Sequence, residues 1–144
     1  MKKSMGPMGF AVSVVVVFVY LVIINAFVFP MIFPDGPAEK FANAREDTLP
    51  LFHLLAFAAT AILLTIVVDK LADYDRSIID GTLAGCLLGL LVALPEHLHL
   101  HAMVEATPAR QFVPVVWTMT TWAVAGLLIG MIRSRTRRRS SLSW

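Results

Sequence analysis

GTLAGCLLGLLVAL, residues Gly81–Leu94, is the stretch whose reading decides the fold. It has no Asp, Glu, Lys, Arg or His, and Gly81, Gly85 and Gly89, continued by Ala93, recur at every fourth position. In a helix that spacing returns to one face, so the repeat draws a stripe of small residues along one side. Followed back to residue 78 and on to 98, the segment reaches the about 20 mostly apolar residues that a helix needs to cross a bilayer core about 30 Å thick. The rest of the chain agrees. Of 144 residues, 58% are apolar and 15% charged, against roughly 45 to 50% and 25% in a soluble domain. That excess excludes both an ordinary soluble globule and a disordered chain, which needs few apolar residues and many charges. The length is that of one domain.

Three further segments have the same character. Residues 8–29 are interrupted only by Ser13, Tyr20 and Asn25, and are expected to end at Pro30 and Pro34, which cannot continue a helix. Residues 51–68 follow Pro50, placed where the first turn tolerates proline. Residues 112–132 carry Pro114 near their start and Arg133 just past their end. Valine runs such as Val14–Val17 favour strands in water, but a lone strand in lipid leaves its backbone groups unpaired at several kcal/mol each. Helix is the expectation, and the alternating pattern of a membrane barrel is missing. The first segment, with Lys2 and Lys3 ahead of it, is weighed as a secretory signal. Its length of 22 residues exceeds the 7 to 15 or so of a signal's apolar region, and Ala42-Asn43-Ala44 lies too far beyond it to be the cleavage site. It is read as a retained span. The expectation is an all-α, polytopic membrane protein: one domain, residues 1–144, with four transmembrane helices in a compact bundle.

Lysine and arginine set the orientation. With the amino terminus inside, one side holds Lys2, Lys3, Lys70, Arg76, Arg133, Arg135, Arg137, Arg138 and Arg139, and the other holds Lys40, Arg45 and Arg110. Nine against three puts both termini in the cytoplasm, and the implied location is the bacterial inner membrane, crossed several times. Arg133, Arg135, Arg137, Arg138 and Arg139 form a basic tail, 133–144, that faces anionic lipid, each charge near the surface being worth about 1 kcal/mol. The formal net charge is only +2, and the basic residues flank apolar segments instead of forming a reading face, so nucleic acid is not expected as a partner. Cys86 is alone, which excludes a disulfide framework and a CxxC site.

Helices in lipid associate by van der Waals packing, and small residues four apart let backbones approach. Gly81, Gly85, Gly89 and Ala93 on the third segment have a counterpart in Ala123, Gly126 and Gly130 on the fourth. The expectation is a third helix at the centre of the bundle, against the fourth. The same stripes would serve self-association or contact with other membrane subunits. Gly81-Thr82-Leu83-Ala84-Gly85-Cys86-Leu87-Leu88-Gly89-Leu90-Leu91 leading to Pro95, followed by a short loop and a helix with Trp117 and Ala125-Gly126-Leu127-Leu128-Ile129-Gly130, resembles small uncharacterised bacterial four-helix membrane proteins. The resemblance covers mainly residues 81–132. It implies the four-helix fold and no activity.

All four histidines fall at the expected outer face: His53 at the start of the second segment, His97, His99 and His101 after the third. If the chain stays helical after Pro95, His97, His101 and Glu105 stand at i, i+4 and i+8 on one face while His99 points away; if it is extended, the three histidines share a face. Two histidines and a carboxylate are ligands that a first-row transition metal accepts, with His53 as a fourth. The plain alternative is an ordinary outward loop, since no spacing signature such as HExxH is present. The sequence requires no cofactor. Ionisable residues are scarce inside the segments, which counts against an ion-coupled transporter. Asn25, Thr60, Thr65, Thr118, Thr120 and Thr121 read as glue between or along helices. Motifs for serine catalysis and phosphate loops are missing. Three functions are therefore compared: a non-catalytic accessory or scaffold subunit of a larger membrane complex of electron-transfer or photosynthetic type, a metal or small-solute handler using the histidines, and an enzyme with a site at the same face. The first accounts best for small size and spare packing stripes.

Overall fold

A computed structural model describes residues 4–32, 50–73, 76–103 and 108–140. The described residues that fold regularly are all helical: α1 (Pro7–Ile23), a π-helical turn (Ile24–Val28), α2 (Phe29–Ile32), α3 (Pro50–Leu71), α4 (Ser77–Met103) and α5 (Pro108–Ser140). Four helical stretches are long and apolar enough to cross a membrane: Pro7–Ile32, Leu51–Leu71, Ser77–Glu96 and Phe112–Thr136.

Prolines shape these helices without ending them. The first stretch was expected to stop at Pro30, but the helix runs through it to Ile32. Pro30 has no N–H to give the Ala26 carbonyl, and its ring crowds that carbonyl. The preceding turn widens in response, so that the Phe29 N–H donates to the Ile24 carbonyl, five residues back. α4 likewise passes through Pro95 and α5 through Pro114. The fourth helix begins at Pro108, a residue whose fixed φ suits the first turn.

α4 and α5 form the most extensive contact. The glycine stripes are where they meet, and the pairing is antiparallel, in steps of four residues on α4 and three or four on α5. Gly130 lies on Ser77, Gly126 on Gly81, Trp122 on Gly85, and Met119 on Gly89. A Cβ on Gly89 would stand 2.9 Å from the Met119 Cα, and one on Gly130 would stand 2.8 Å from the Ile78 Cα. A Cβ on Gly81, Gly85 or Gly126 would run into the backbone carbonyl of Gly126, Trp122 or Gly81 respectively. Ala123 flanks the seam with its Cα beside Gly85, and Ala93 is buried further along α4.

α3 and α5 each touch the other three apolar stretches, while α4, the third stretch and expected at the centre, meets chiefly α5. α4 has one small-residue face, and its Leu83, Leu87 and Leu91 are exposed. α5 has two: Gly126 and Gly130 toward α4, and beside them the buried row Ala125, Ile129 and Arg133. α3 supplies Ala61, Leu64, Thr65, Val68, Asp69 and Ala72, at spacings of three and four, and α1 supplies Gly9, Ser13, Val17 and Leu21 at every fourth residue. These rows make one core. They bury α3 from Ala61 onward; every residue from Leu51 to Ala56 is exposed, a run of more than one helical turn, so every face of that first part keeps exposed surface.

Candidate functional site

Three hydrogen bonds that link different helices lie at one end of the bundle. Asp69 Oδ1 accepts the Met5 backbone N–H at 2.8 Å, and Arg133 Nη1 donates to the Val68 carbonyl at 3.0 Å. Ser77 Oγ donates to the Gly130 carbonyl at 3.1 Å. These contacts bring the start of α1, the end of α3, the start of α4 and the end of α5 together, which fixes an up-down-up-down order. At the opposite end Phe29 meets Trp117 edge to face, with ring centroids 5.3 Å apart.

Arg133 was expected in a basic tail facing lipid. It is instead inside, 1% exposed, with Nε 3.8 Å from Asp69 Oδ1, itself on a residue only 9% exposed. The physical reason is register: Arg133 lies four residues beyond Ile129 on the same inward row of α5, and α3 offers a carboxylate and a carbonyl opposite it. A buried cation needs such partners, because leaving one unpaired costs several kcal/mol. Arg135 is exposed, and α5 continues as a helix through Arg137, Arg138 and Arg139. The side chains of those three lie outside the described residues.

Asp69 was missed by the sequence reading. Val67-Val68-Asp69-Lys70 looks like an apolar stretch meeting water, and a charge there attracts no notice. The available signal was periodicity, since Asp69 follows Ala61 by eight residues and Thr65 by four, on the row that α3 buries. The other polar residues of the apolar stretches mostly bond their own helices. Ser13 donates to the Gly9 carbonyl, Asn25 to Leu21, Thr65 to Ala61 and Thr120 to Val116. Each is four residues back, so for Asn25, Thr65 and Thr120 the expected role takes its along-the-helix form.

The histidines are placed less completely. His53 is exposed on the first turn of α3, its ring 6.5 Å from that of Phe57, and His99 is exposed on α4. α4 remains helical to Met103, which sets His97 and His101 one turn apart along it. Their side chains, and Glu105 altogether, lie outside the described residues. Among the described residues no three His, Cys, Asp or Glu side chains come together as a metal site. Comparison with known protein families, curated proteins and solved structures gave no match.

Chemically, the Asp69–Arg133 group is a closed arrangement. The carboxylate is engaged by Met5 and the guanidinium by Val68, which suits holding helices more than turning over a substrate.

Proposed function

We propose that the chain is an integral membrane protein that crosses the bacterial inner membrane four times, with both termini cytoplasmic, and serves as a non-catalytic accessory or scaffold subunit of a larger membrane complex. An electron-transfer or photosynthetic assembly is the kind of complex meant. The observation that carries this reading is the all-round exposure of Leu51–Ala56 beside a tightly sealed α4–α5 pair. A helix that extends beyond its own domain's packing offers apolar surface to lipid and to a neighbouring subunit alike, and membrane subunits dock by such side-chain packing. The excess of Lys and Arg on the Arg133 side supports the orientation. The resemblance to small bacterial four-helix membrane proteins agrees with the span count. The α4–α5 glycine stripes are occupied within the chain, so a second copy or another subunit would meet α1, α3 or the leucine face of α4.

Gentle solubilisation from the native membrane, followed by identification of what co-purifies in constant ratio, tests this. A second membrane protein in fixed stoichiometry is the expected result; a monomer carrying lipid alone overturns it. One observation favours a second reading, transition-metal or small-solute handling at the opposite end: the helical continuation of α4 to Met103 sets His97 and His101 at the i, i+4 spacing that two ligands on one face require. A stoichiometric first-row metal in the purified protein, lost on replacing His97 and His101 together, would move the conclusion to that reading.

A further inference from the structure

The outward side of α5 is a single row. Val113, Val116, Thr120 and Val124 are exposed, Met131 is half-buried and Arg135 is exposed again, at steps of three, four or seven residues. In a helix those steps keep to one face. Up to Met131 the row is apolar except for Thr120, whose hydroxyl donates to the Val116 carbonyl of the same helix. Its donor is thus satisfied before it meets lipid, as a spanning helix requires.

Arg133 fixes how α5 is turned where this row leaves the apolar stretch. It is buried, with Nη1 on the Val68 carbonyl and Nε 3.8 Å from Asp69 Oδ1, so it marks the inward side. α5 stays helical to Ser140, and each residue turns it by about 100°. Positions 135, 138 and 139 therefore fall about 140° to 240° around the helix from Arg133, on the outward row. Position 137 falls only about 40° from it, on the side where Gly126 and Gly130 meet α4.

The level along the axis follows in the same way. α3 ends at Leu71 and α4 begins at Ser77, whose hydroxyl sits on the Gly130 carbonyl, so the turn between α3 and α4 lies level with Arg133. Positions 135, 138 and 139 stand about 3, 7.5 and 9 Å beyond it, in or at the edge of a headgroup layer about 5 to 8 Å thick on each side of the apolar core. A row that faces acyl chains for most of its length thus ends in three arginines where the headgroups begin. Three positive charges at that level match headgroups that carry a net negative charge.

We propose that Arg135, Arg138 and Arg139 form a binding site for anionic phospholipid headgroups at the foot of the lipid-facing row of α5, and that Arg133 and Arg137 take no part in it. The helix divides the basic tail: one arginine fastens α5 to α3, and three hold lipid. This rests on the membrane-spanning part of the proposed function and on no partner subunit.

The test incorporates the full chain into vesicles of phosphatidylcholine and phosphatidylglycerol in equal parts, extracts it in mild detergent, and counts the lipid carried by each chain in native mass spectrometry. The parent is expected to carry phosphatidylglycerol over phosphatidylcholine by about tenfold or more. Arg138→Gln and Arg137→Gln remove the same charge one residue apart, so their comparison reads the face and not the charge count. Arg138→Gln is expected to lower the preference about fivefold, the factor that goes with one charge near the surface, and Arg137→Gln to leave it unchanged. Replacing Arg135, Arg138 and Arg139 together by Gln should abolish the preference, with the unfolding midpoint unchanged because the Asp69–Arg133 pair is kept. Equal binding of both lipids by the parent, equal losses in Arg138→Gln and Arg137→Gln, or a preference that survives the triple replacement each overturn the proposal. So does a parent without lipid preference whose co-purifying protein is lost in the triple variant, since the face then binds protein. A chain that never enters the vesicles overturns the membrane-spanning reading itself, and shows before any lipid is counted.

Discussion

The α4–α5 seam and the first six residues of α3 after Pro50 are both mostly apolar, yet the first is sealed and the second is exposed at every residue. The seam closes because side chains are missing there. Gly81, Gly85, Gly89, Gly126 and Gly130 let carbonyls of one helix rest where a Cβ of the other would be. Leu51–Ala56 has Phe52, Leu54 and Leu55 in place of a small-residue row, and these hold neighbouring backbones at a distance. Within α3 the same contrast recurs. Its last three turns are buried along Ala61, Leu64, Thr65, Val68, Asp69 and Ala72, and they end in an ion pair that fastens α3 to α5. Apolar character makes a segment fit for lipid; small residues in register, or a matched pair of charges, decide whether it packs.

The sharpest way to break this comparison is at the fastened end. Arg133→Met alone leaves Asp69 buried without its cation and is expected to cost about 3 to 5 kcal/mol. Combining it with Asp69→Leu should recover most of the loss, since apolar replacements of a buried pair are often neutral. Unfolding in mixed micelles of increasing denaturing-detergent fraction measures both, and a single variant as stable as the parent would show that the pair does not hold α3.

Gly85→Leu attacks the seam itself. Its Cβ meets the Trp122 carbonyl, a backbone atom that cannot rotate away, and the expected cost is about 3 kcal/mol, the upper part of the range for overpacking. Leu87→Ile, on the exposed face of the same helix, is expected to cost well under about 1.5 kcal/mol. Equal costs would mean that the seam contributes no more than any apolar surface.

The smallest effect is expected at the exposed start of α3. Leu55→Ala trims a side chain that is 56% exposed, so the purified protein should change by less than about 0.5 kcal/mol. A larger loss would place α3 against the rest of the domain along its whole length.

Much of the fold was legible in the sequence, because span length and glycine spacing are local properties. The segment Gly81–Leu94 showed its stripe, and the stripe on Ala123, Gly126 and Gly130 showed a matching face. What stayed illegible depends on which neighbour each face meets. That α5 packs on two sides and α4 chiefly on one follows from Ala125, Ile129 and Arg133 forming a second inward row, and nothing in the sequence says that an arginine just past an apolar run points inward. The positive-inside rule explained Arg133 well enough to hide its partnership with Asp69. Helix ends were misjudged for a related reason. Pro30 stops a helix only when the lost hydrogen bond cannot be absorbed, and here a widened turn at Ile24–Val28 absorbs it. The histidine group was visible as residue types, and the helical course of α4 to Met103 adds its spacing.

The central claim is that the exposed start of α3, Leu51–Ala56, is a docking surface used in the native membrane. A photoreactive amino acid placed at Leu55, in cells carrying the chain in its own membrane, tests it directly. The account predicts a discrete covalent adduct with one membrane protein, absent when the same group replaces Val17 in the core. Adducts with lipid alone at Leu55 would contradict it.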